Sequence, residues 1–166
     1  MLYQSDYMEE KAILQTAARM CAAARTAPKA HGRDTLHTLV LTGEEKENLA
    51  KKMEEVGRRE MGDGMNTWYG RDAGNVRAAQ AVVLIGTDRK QRGVPHCGYC
   101  GFGDCGGCKD SGGNCAYTYV DLGIAVSSAV SAAASDKTDC RIMYSVGKTA
   151  AEMEYGHDAV WLGIPI

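Results

Sequence analysis

The chain contains 166 residues, of which 45% are hydrophobic, and its formal net charge is -2. This length suits one domain, since domains usually contain about 100 to 200 residues. The nearly balanced charge excludes the strongly basic surface typical of nucleic-acid-binding proteins. Residues 1–25 are too polar for a secretory leader, and no segment is long and apolar enough to span a bilayer. We therefore expect one cytoplasmic domain over residues 1–166, with neither nucleic acid nor a membrane as partner.

The first predicted elements are two helices and a strand. Apolar residues at helical spacing predict a helix over residues 6–24. These residues are Ile13, Ala17, Met20, Cys21 and Ala24. A short apolar run over residues 36–41 predicts a strand. Thr42 and Glu45 match a capping box, so a second helix is expected to begin there and to end near Gly57.

The middle of the chain combines a predicted loop, a strand and a helix. Residues 61–74 are rich in Gly, Asp and Asn, which predicts a surface loop anchored by Trp68 and Tyr69. Residues 81–85 are continuously apolar, as in a strand that is covered on both faces. The small residues of segment 119–134 lie all round a helical axis, so this helix is expected to be buried.

The last predicted elements are two strands, over residues 141–146 and 159–164, that flank a short helix at about residues 148–155. Strands and helices therefore alternate along the chain. This alternation predicts an α/β (α+β) fold in which helices cover one central sheet. The order of the strands in that sheet does not follow from the sequence pattern.

Five of the seven cysteines lie between Cys97 and Cys115, in the segment HCGYCGFGDCGGCKDSGGNC. Several thiolates can converge on one inorganic core only where the backbone folds sharply, and glycine tolerates the positive φ angles that this requires. Seven glycines are interleaved with these cysteines: Gly98, Gly101, Gly103, Gly106, Gly107, Gly112 and Gly113. Residues 96–115 are therefore predicted to form a ferredoxin-like loop that binds an iron–sulfur cluster.

Zinc is the alternative metal, because Cys97/Cys100 and Cys105/Cys108 are closely spaced pairs of the kind that zinc uses. Structural zinc sites usually take their pairs from two separated segments, whereas only four residues separate the pairs here. The spacing favours an iron–sulfur cluster. An interaction module in which zinc stabilises the loop is the second hypothesis.

Two sets of cysteines could bind the cluster. One set has a spacing that suits a four-iron cluster. Its members are Cys97, Cys100, Cys105 and Cys115, and it leaves Cys108 spare. The other set has the spacing of plant-type two-iron ferredoxins. Its members are Cys100, Cys105, Cys108 and Cys140. We prefer the first set, because the second omits two cysteines of the loop and uses one at the start of a predicted strand.

Three segments are familiar in combination: the loop CGYCGFGDC, followed by Cys115, and then YVDLGIAVSSAVSAA and CRIMYSVG. They resemble a family of uncharacterised ferredoxin-domain proteins found largely in anaerobic microbes. The recurring cysteines of that family match Cys97, Cys100, Cys105 and Cys115, while the position of Cys108 varies. The resemblance therefore implies the four-iron set.

Other segments resemble the nitroreductase-like flavoproteins. Residues 24–28, with the strand after them, are similar to the opening of that family. The segment DLGIAVSSAVSAA is similar to its central helix, and VWLGIPI is similar to its late strand. The resemblance implies a nitroreductase-like central mixed sheet, a homodimer, and FMN at the subunit interface. Residues 31–34 differ from the Asn and Gln-Pro-Trp that are common there, so the resemblance leaves flavin binding open.

Basic residues complete the candidate sites. Arg25, Lys29 and Arg33 are candidate contacts for a flavin phosphate, and a solvated basic loop is the alternative. If exposed, Lys90 and Arg92 would steer an acidic redox partner towards the cysteine loop. The sequence thus predicts an iron–sulfur redox protein that transfers electrons to an unidentified partner, or a flavin-linked oxidoreductase of nitroreductase type.

Overall fold

A computed structural model describes residues 1–62, 67–153, 155 and 158–166 of the chain. Its helices are α1 (Ser5–Thr26), α2 (Gly43–Met61), α3 (Trp68–Ala78), α4 (Cys105–Asp110), α5 (Ala116–Ser135) and α6 (Tyr144–Ala150). Its strands are β1 (Leu36–Leu41), β2 (Val82–Asp88) and β3 (Ala159–Pro165), and a short 3₁₀ turn (Ala30–Gly32) follows α1. None of the helices in these residues combines the length and hydropathy needed to cross a membrane.

The described strands form one sheet in the order β1-β2-β3. Leu84 of the central strand pairs with Leu39 of β1 on one side and with Gly163 of β3 on the other. The first six residues of β2 are buried, as its continuous apolar run predicts. The predicted α/β fold, a central sheet covered by helices, is confirmed. The sheet is antiparallel in all described strands rather than mixed, because both neighbours of β2 run opposite to it.

The central strand separates two apolar cores. Val83 and Ile85 belong to the core that α1 and α5 cover, and Val82 and Leu84 belong to the core that α2, α3 and α6 cover. Successive side chains of a strand point to opposite faces, so this alternation places one helical layer on each face of the sheet. The molecule therefore has three layers, and the cysteine loop leaves the sheet at the Asp88 end of β2.

Helix α3 replaces part of the loop predicted over residues 61–74, of which 63–66 lie outside the described residues. The Thr67 hydroxyl accepts a hydrogen bond from the Gly70 N–H at 3.3 Å and so caps the first turn. Tyr69, Ala73 and Val76 then bury one helical face. The Gly-rich composition of the segment predicts a loop, although these three residues form a short amphipathic pattern. Tyr69 anchors the core as predicted, but it does so from a helix.

The strand predicted over residues 141–146 is wrong. In the structure, Met143 makes one isolated antiparallel bridge with Gly163, and helix α6 begins at the next residue. Val146 and Ala150 lie four residues apart and face the second core, which is a helical spacing. The helix predicted at about residues 148–155 is therefore shifted towards the N-terminus, and residue 154 lies outside the described residues.

Two smaller expectations about helices also fail. Thr42 precedes α2, but its side chain makes no capping hydrogen bond, so the predicted capping box is not formed. Helix α5 is buried on one face rather than all round. Leu122 and Ala129 belong to the core beneath it, whereas Tyr119 and Ile124 are 51% and 38% exposed. The small residues of α5 permit close packing on α1, but they do not require burial on every side.

Candidate metal centre

The loop between β2 and α5 encloses a cavity of about 340 Å³. All four cysteines of the preferred ligand set line it: Cys97, Cys100, Cys105 and Cys115. His96 and Arg92 also contribute to its wall. The structure thus brings together thiols that are spread over 19 residues of sequence from Cys97 to Cys115.

Glycine shapes the first half of this loop, as the sequence predicts. The backbone has a positive φ at Gly98 (53°), Gly101 (83°) and Gly103 (77°), a region that disfavours side chains. The Gly101 N–H donates to the Gly98 carbonyl at 2.8 Å and closes a tight turn around Cys100. The Tyr99 N–H donates to the Cys97 sulfur at 3.4 Å. Hydrogen bonds of this kind to a cysteine sulfur hold the side chain in place and, in iron–sulfur proteins, help to set the reduction potential.

Helix α4 holds the second half of the loop. The Asp104 carboxylate caps this helix by accepting a hydrogen bond from the Gly107 N–H at 2.8 Å. Cys105 is therefore the first residue of α4, next to the cap. Cys115 immediately precedes α5 and is 7% exposed. The positions of the Cys105 and Cys115 thiols are therefore set by the N-termini of α4 and α5.

Cys108 differs from the other four cysteines of the loop. Its side chain is fully buried and does not contribute to the wall of the cavity. The Gln91 amide lies 3.9 Å from its sulfur, and the Cys100 thiol is within hydrogen-bonding reach. Burial raises the pKa of the Cys108 thiol, Gln91 lowers it, and the neighbouring Cys100 and Cys115 thiols raise it further. Cys108 therefore lies behind the cavity, within hydrogen-bonding reach of the Cys100 thiol.

The plant-type ligand set requires Cys140 to lie near the cysteine loop, which is not where the structure places it. The loop begins beside Asp88, at one end of β2. Cys140 lies with Pro165 in a separate depression, and Pro165 pairs with Val82 at the other end of β2. A strand rises about 3.3 Å per residue, so the seven residues of β2 separate these two ends by about 20 Å. Cys140 cannot share a cluster with the loop.

The four thiols of the cavity are donors that both zinc and iron–sulfur clusters use. Among the described residues, no three Cys, His, Asp or Glu side chains lie together as the ligands of a single metal ion. Thiolate sulfur is the usual ligand of iron–sulfur clusters. The donor set and the cavity therefore fit a cluster.

A buried ion pair anchors the loop. Arg92 is 1% exposed, and its Nε donates to Asp121 Oδ2 at 2.9 Å while its Nη2 donates to the Thr87 hydroxyl at 2.9 Å. Asp121 Oδ1 accepts from the Ala30 N–H at 3.0 Å. The pair thus joins the loop to α5 and to the turn after α1. The expectation that Arg92 steers a partner is wrong because it is buried, whereas the Lys90 side chain is 75% exposed.

The predicted phosphate contacts are largely engaged within the chain. Arg25 Nη1 donates to both carboxylate oxygens of Asp34 at 2.9 Å, and Lys29 donates to backbone carbonyls at the end of α1. Arg33 is exposed, and its guanidinium lies beside Gly93 at the rim of the cysteine cavity. Two of the three predicted contacts are therefore already paired.

A second cavity, of about 360 Å³, lies between α5, α6 and β3. Leu122 and Trp161 contribute to an apolar lining, and Tyr119 lies at its edge. Lys148 supplies positive charge, and Arg89, which also lines the cavity, pairs with Asp158 at 3.3 Å. The described residues that line this cavity are all different from those that line the cysteine cavity. Sequence reasoning missed it, because its walls come from four separated segments.

Comparison with known proteins agrees with this architecture. The family described as uncharacterized proteins containing a ferredoxin domain (DUF2148) matches residues 111–166, which include Cys115 and Cys140. An uncharacterized protein of Archaeoglobus fulgidus is 37% identical over 100% of this chain and 91% of its own length. The chain belongs to this ferredoxin-domain family. The family resemblance predicted from the sequence is thus confirmed.

This member of the ferredoxin-domain family has the fold of nitroreductases. A nitroreductase with bound FMN from Bacteroides fragilis superposes with a TM-score of 0.61 over 99% of this chain and 77% of that chain, at 10% identity. A nitroreductase with bound FMN from Desulfitobacterium hafniense gives a TM-score of 0.59 over 91% and 75%, at 14% identity. The predicted nitroreductase-like fold is therefore confirmed.

Proposed function

We propose that this chain is an iron–sulfur redox protein whose cluster is held by four thiolates. The proposed ligands are Cys97, Cys100, Cys105 and Cys115. The observation that carries the proposal is that these four thiols line one cavity, within a member of a ferredoxin-domain family. A bound cluster supplies one-electron transfer. Four ligands from one loop favour the four-iron type.

The chain itself contributes binding, orientation and protection from water. The positive-φ glycines turn the thiols inwards, and the Tyr99 N–H holds the Cys97 sulfur in position. Phe102 packs against Gly113, where a Cβ would lie 2.6 Å from its ring, and so holds the residues on the two sides of α4 together. Arg92 and Asp121 fix the base of the loop against α5. These contacts keep the ligands in place as an electron enters or leaves.

The deciding experiment is anaerobic purification, followed by measurement of iron, acid-labile sulfide and zinc. We expect iron and sulfide in equal amounts and a broad brown absorption that dithionite bleaches reversibly. Cys97→Ser and Cys105→Ser should each lose the iron, because a hydroxyl is a poorer ligand than a thiolate. Stoichiometric zinc without iron or sulfide would instead establish the interaction module, since zinc has no redox chemistry.

We propose that the protein is a homodimer that uses the outer face of α5. Tyr119, Val120 and Ile124 are 51%, 39% and 38% exposed on this face, an arrangement typical of an interface. Light scattering on the purified protein should give twice the mass of the chain. Ile124→Glu should shift the mass towards that of the monomer. Glu10→Lys, a charge change at an exposed residue outside this face, should leave the mass unchanged. A monomer at all accessible concentrations would exclude this interface.

A flavin-linked oxidoreductase is the second candidate function. The second cavity favours it, because an apolar lining beside Lys148 suits a planar anion such as FMN, whereas Arg25 and Lys29 are already paired. Equilibrium dialysis with FMN measures this directly. Lys148→Gln should weaken binding and Lys29→Gln should leave it unchanged. Absence of FMN binding, with iron present, would remove this candidate and retain the first.

A further inference from the structure

Cys108 has surroundings that neither apolar packing nor the four-ligand site explains. Among the described residues, it belongs to neither apolar core, although it is fully buried. The Gln91 amide lies 3.9 Å from its sulfur, the Cys100 thiol is within hydrogen-bonding reach, and the Cys115 thiol is close enough to interact with it electrostatically. A buried cysteine usually acts as a small apolar side chain. This one instead has polar and sulfur neighbours, directly behind the cluster cavity.

Helix α4 places Cys108 where it can exchange positions with a ligand. Cys105 and Cys108 are three residues apart on this helix, so they share one face. Cys105 lines the cavity, and hence Cys108 lies on the same side of the helix. Gly112, with a φ of 64°, follows α4, and Gly106 and Gly107 lie within it. Glycine lowers the cost of a small shift of this helix.

We propose that Cys108 is a reserve ligand, which replaces Cys100 or Cys115 on the cluster when either of these is lost. The inference rests on the proposed iron–sulfur function. In the exchange, the Cys108 sulfur forms a bond to iron as the bond to the departing sulfur breaks. In the wild-type protein the proton of the Cys108 thiol passes to the departing thiolate, and in a serine variant it passes to solvent, so no electron is gained or lost. The two replaceable ligands are those whose thiols interact with the Cys108 thiol.

The test compares iron content in single and double variants purified anaerobically. Cys108→Ser alone should keep the wild-type iron content, because the four primary ligands remain. Cys100→Ser and Cys115→Ser should each retain most of their iron through Cys108. Adding Cys108→Ser to either should remove it. Cys97→Ser and Cys105→Ser should lose iron whether or not Cys108 is present.

The outcomes separate this inference from the function on which it rests. A wild-type protein without iron would refute the iron–sulfur function itself. If Cys100→Ser and Cys115→Ser lose iron as completely as Cys97→Ser does, the reserve-ligand proposal is refuted while the iron–sulfur function stands. Loss of iron from Cys108→Ser would make Cys108 a primary ligand and would also refute it. Far-UV circular dichroism of each variant shows whether the fold is intact, and the electron paramagnetic resonance spectrum of reduced Cys100→Ser should differ from that of the wild type.

Discussion

Replacing Arg92 with methionine removes a buried cation and keeps a side chain of similar length. Asp121, which is 2% exposed, would lose the guanidinium that now donates to it at 2.9 Å. Breaking a buried ion pair by removing one partner costs about 3–5 kcal/mol, because the remaining charge is left uncompensated. At a urea dependence of about 2 kcal/mol per molar, this loss lowers the urea midpoint by about 1.5–2.5 M.

The assay is urea unfolding at pH 7, followed by circular dichroism. A double variant, Arg92→Met with Asp121→Leu, replaces the whole pair with apolar side chains and should recover about half or more of the lost stability. Arg59→Met is the matched surface control, since Arg59 pairs with Glu152 in solvent and its removal should leave the midpoint unchanged. An effect of Arg92→Met below about 1 kcal/mol would refute the reasoning, because it would equal that of an exposed pair.

Three further predictions concern other parts of the chain. Gly147→Ala should lower the free energy of unfolding, measured in urea, by about 1–3 kcal/mol or more, because the new Cβ would lie 2.0 Å from the Trp161 carbonyl oxygen. An unchanged urea midpoint would contradict this close approach. Cys140→Ser should keep full iron content and an unchanged absorption spectrum, and loss of iron would restore the plant-type ligand set. Burial raises the pKa of the Asp88 carboxyl, but hydrogen bonds, chiefly from His37, lower it below its usual value. The stabilisation that Asp88 provides should therefore be fully present above the ordinary pKa of about 4 and lost as the pH falls through the lowered pKa, so the difference in urea midpoint between wild type and Asp88→Asn should shrink steadily below about pH 4. A difference that persists there would refute the charge-based explanation.

The cysteine cavity could be predicted because its parts are close in sequence. Cys97 and Cys100, with the glycines around them, specify tight turns through local backbone preferences alone. The strand β2 could be predicted for a similar reason, since the five consecutive apolar residues 81–85 carry its pattern. Local signals of this kind do not depend on the rest of the fold.

The ion pair behind the loop could not be predicted in this way. Arg92 and Asp121 are 29 residues apart, and nothing in either neighbourhood indicates the other. The bounds of helix α6 could not be predicted for a related reason, because Gly147 and the residues around it suit either a strand or a helix until β3 packs against them. Contacts between distant segments decided both cases.

The two apolar cores contain no residue of the cysteine loop among their members. In small metal-dependent modules, by contrast, the metal supplies the free energy of folding, and chelation unfolds the chain. Here the apolar packing that stabilises the helices and the sheet does not include the loop. We therefore expect the scaffold to fold without metal, so that removal of the proposed cluster by a chelator would leave the helices and the sheet intact.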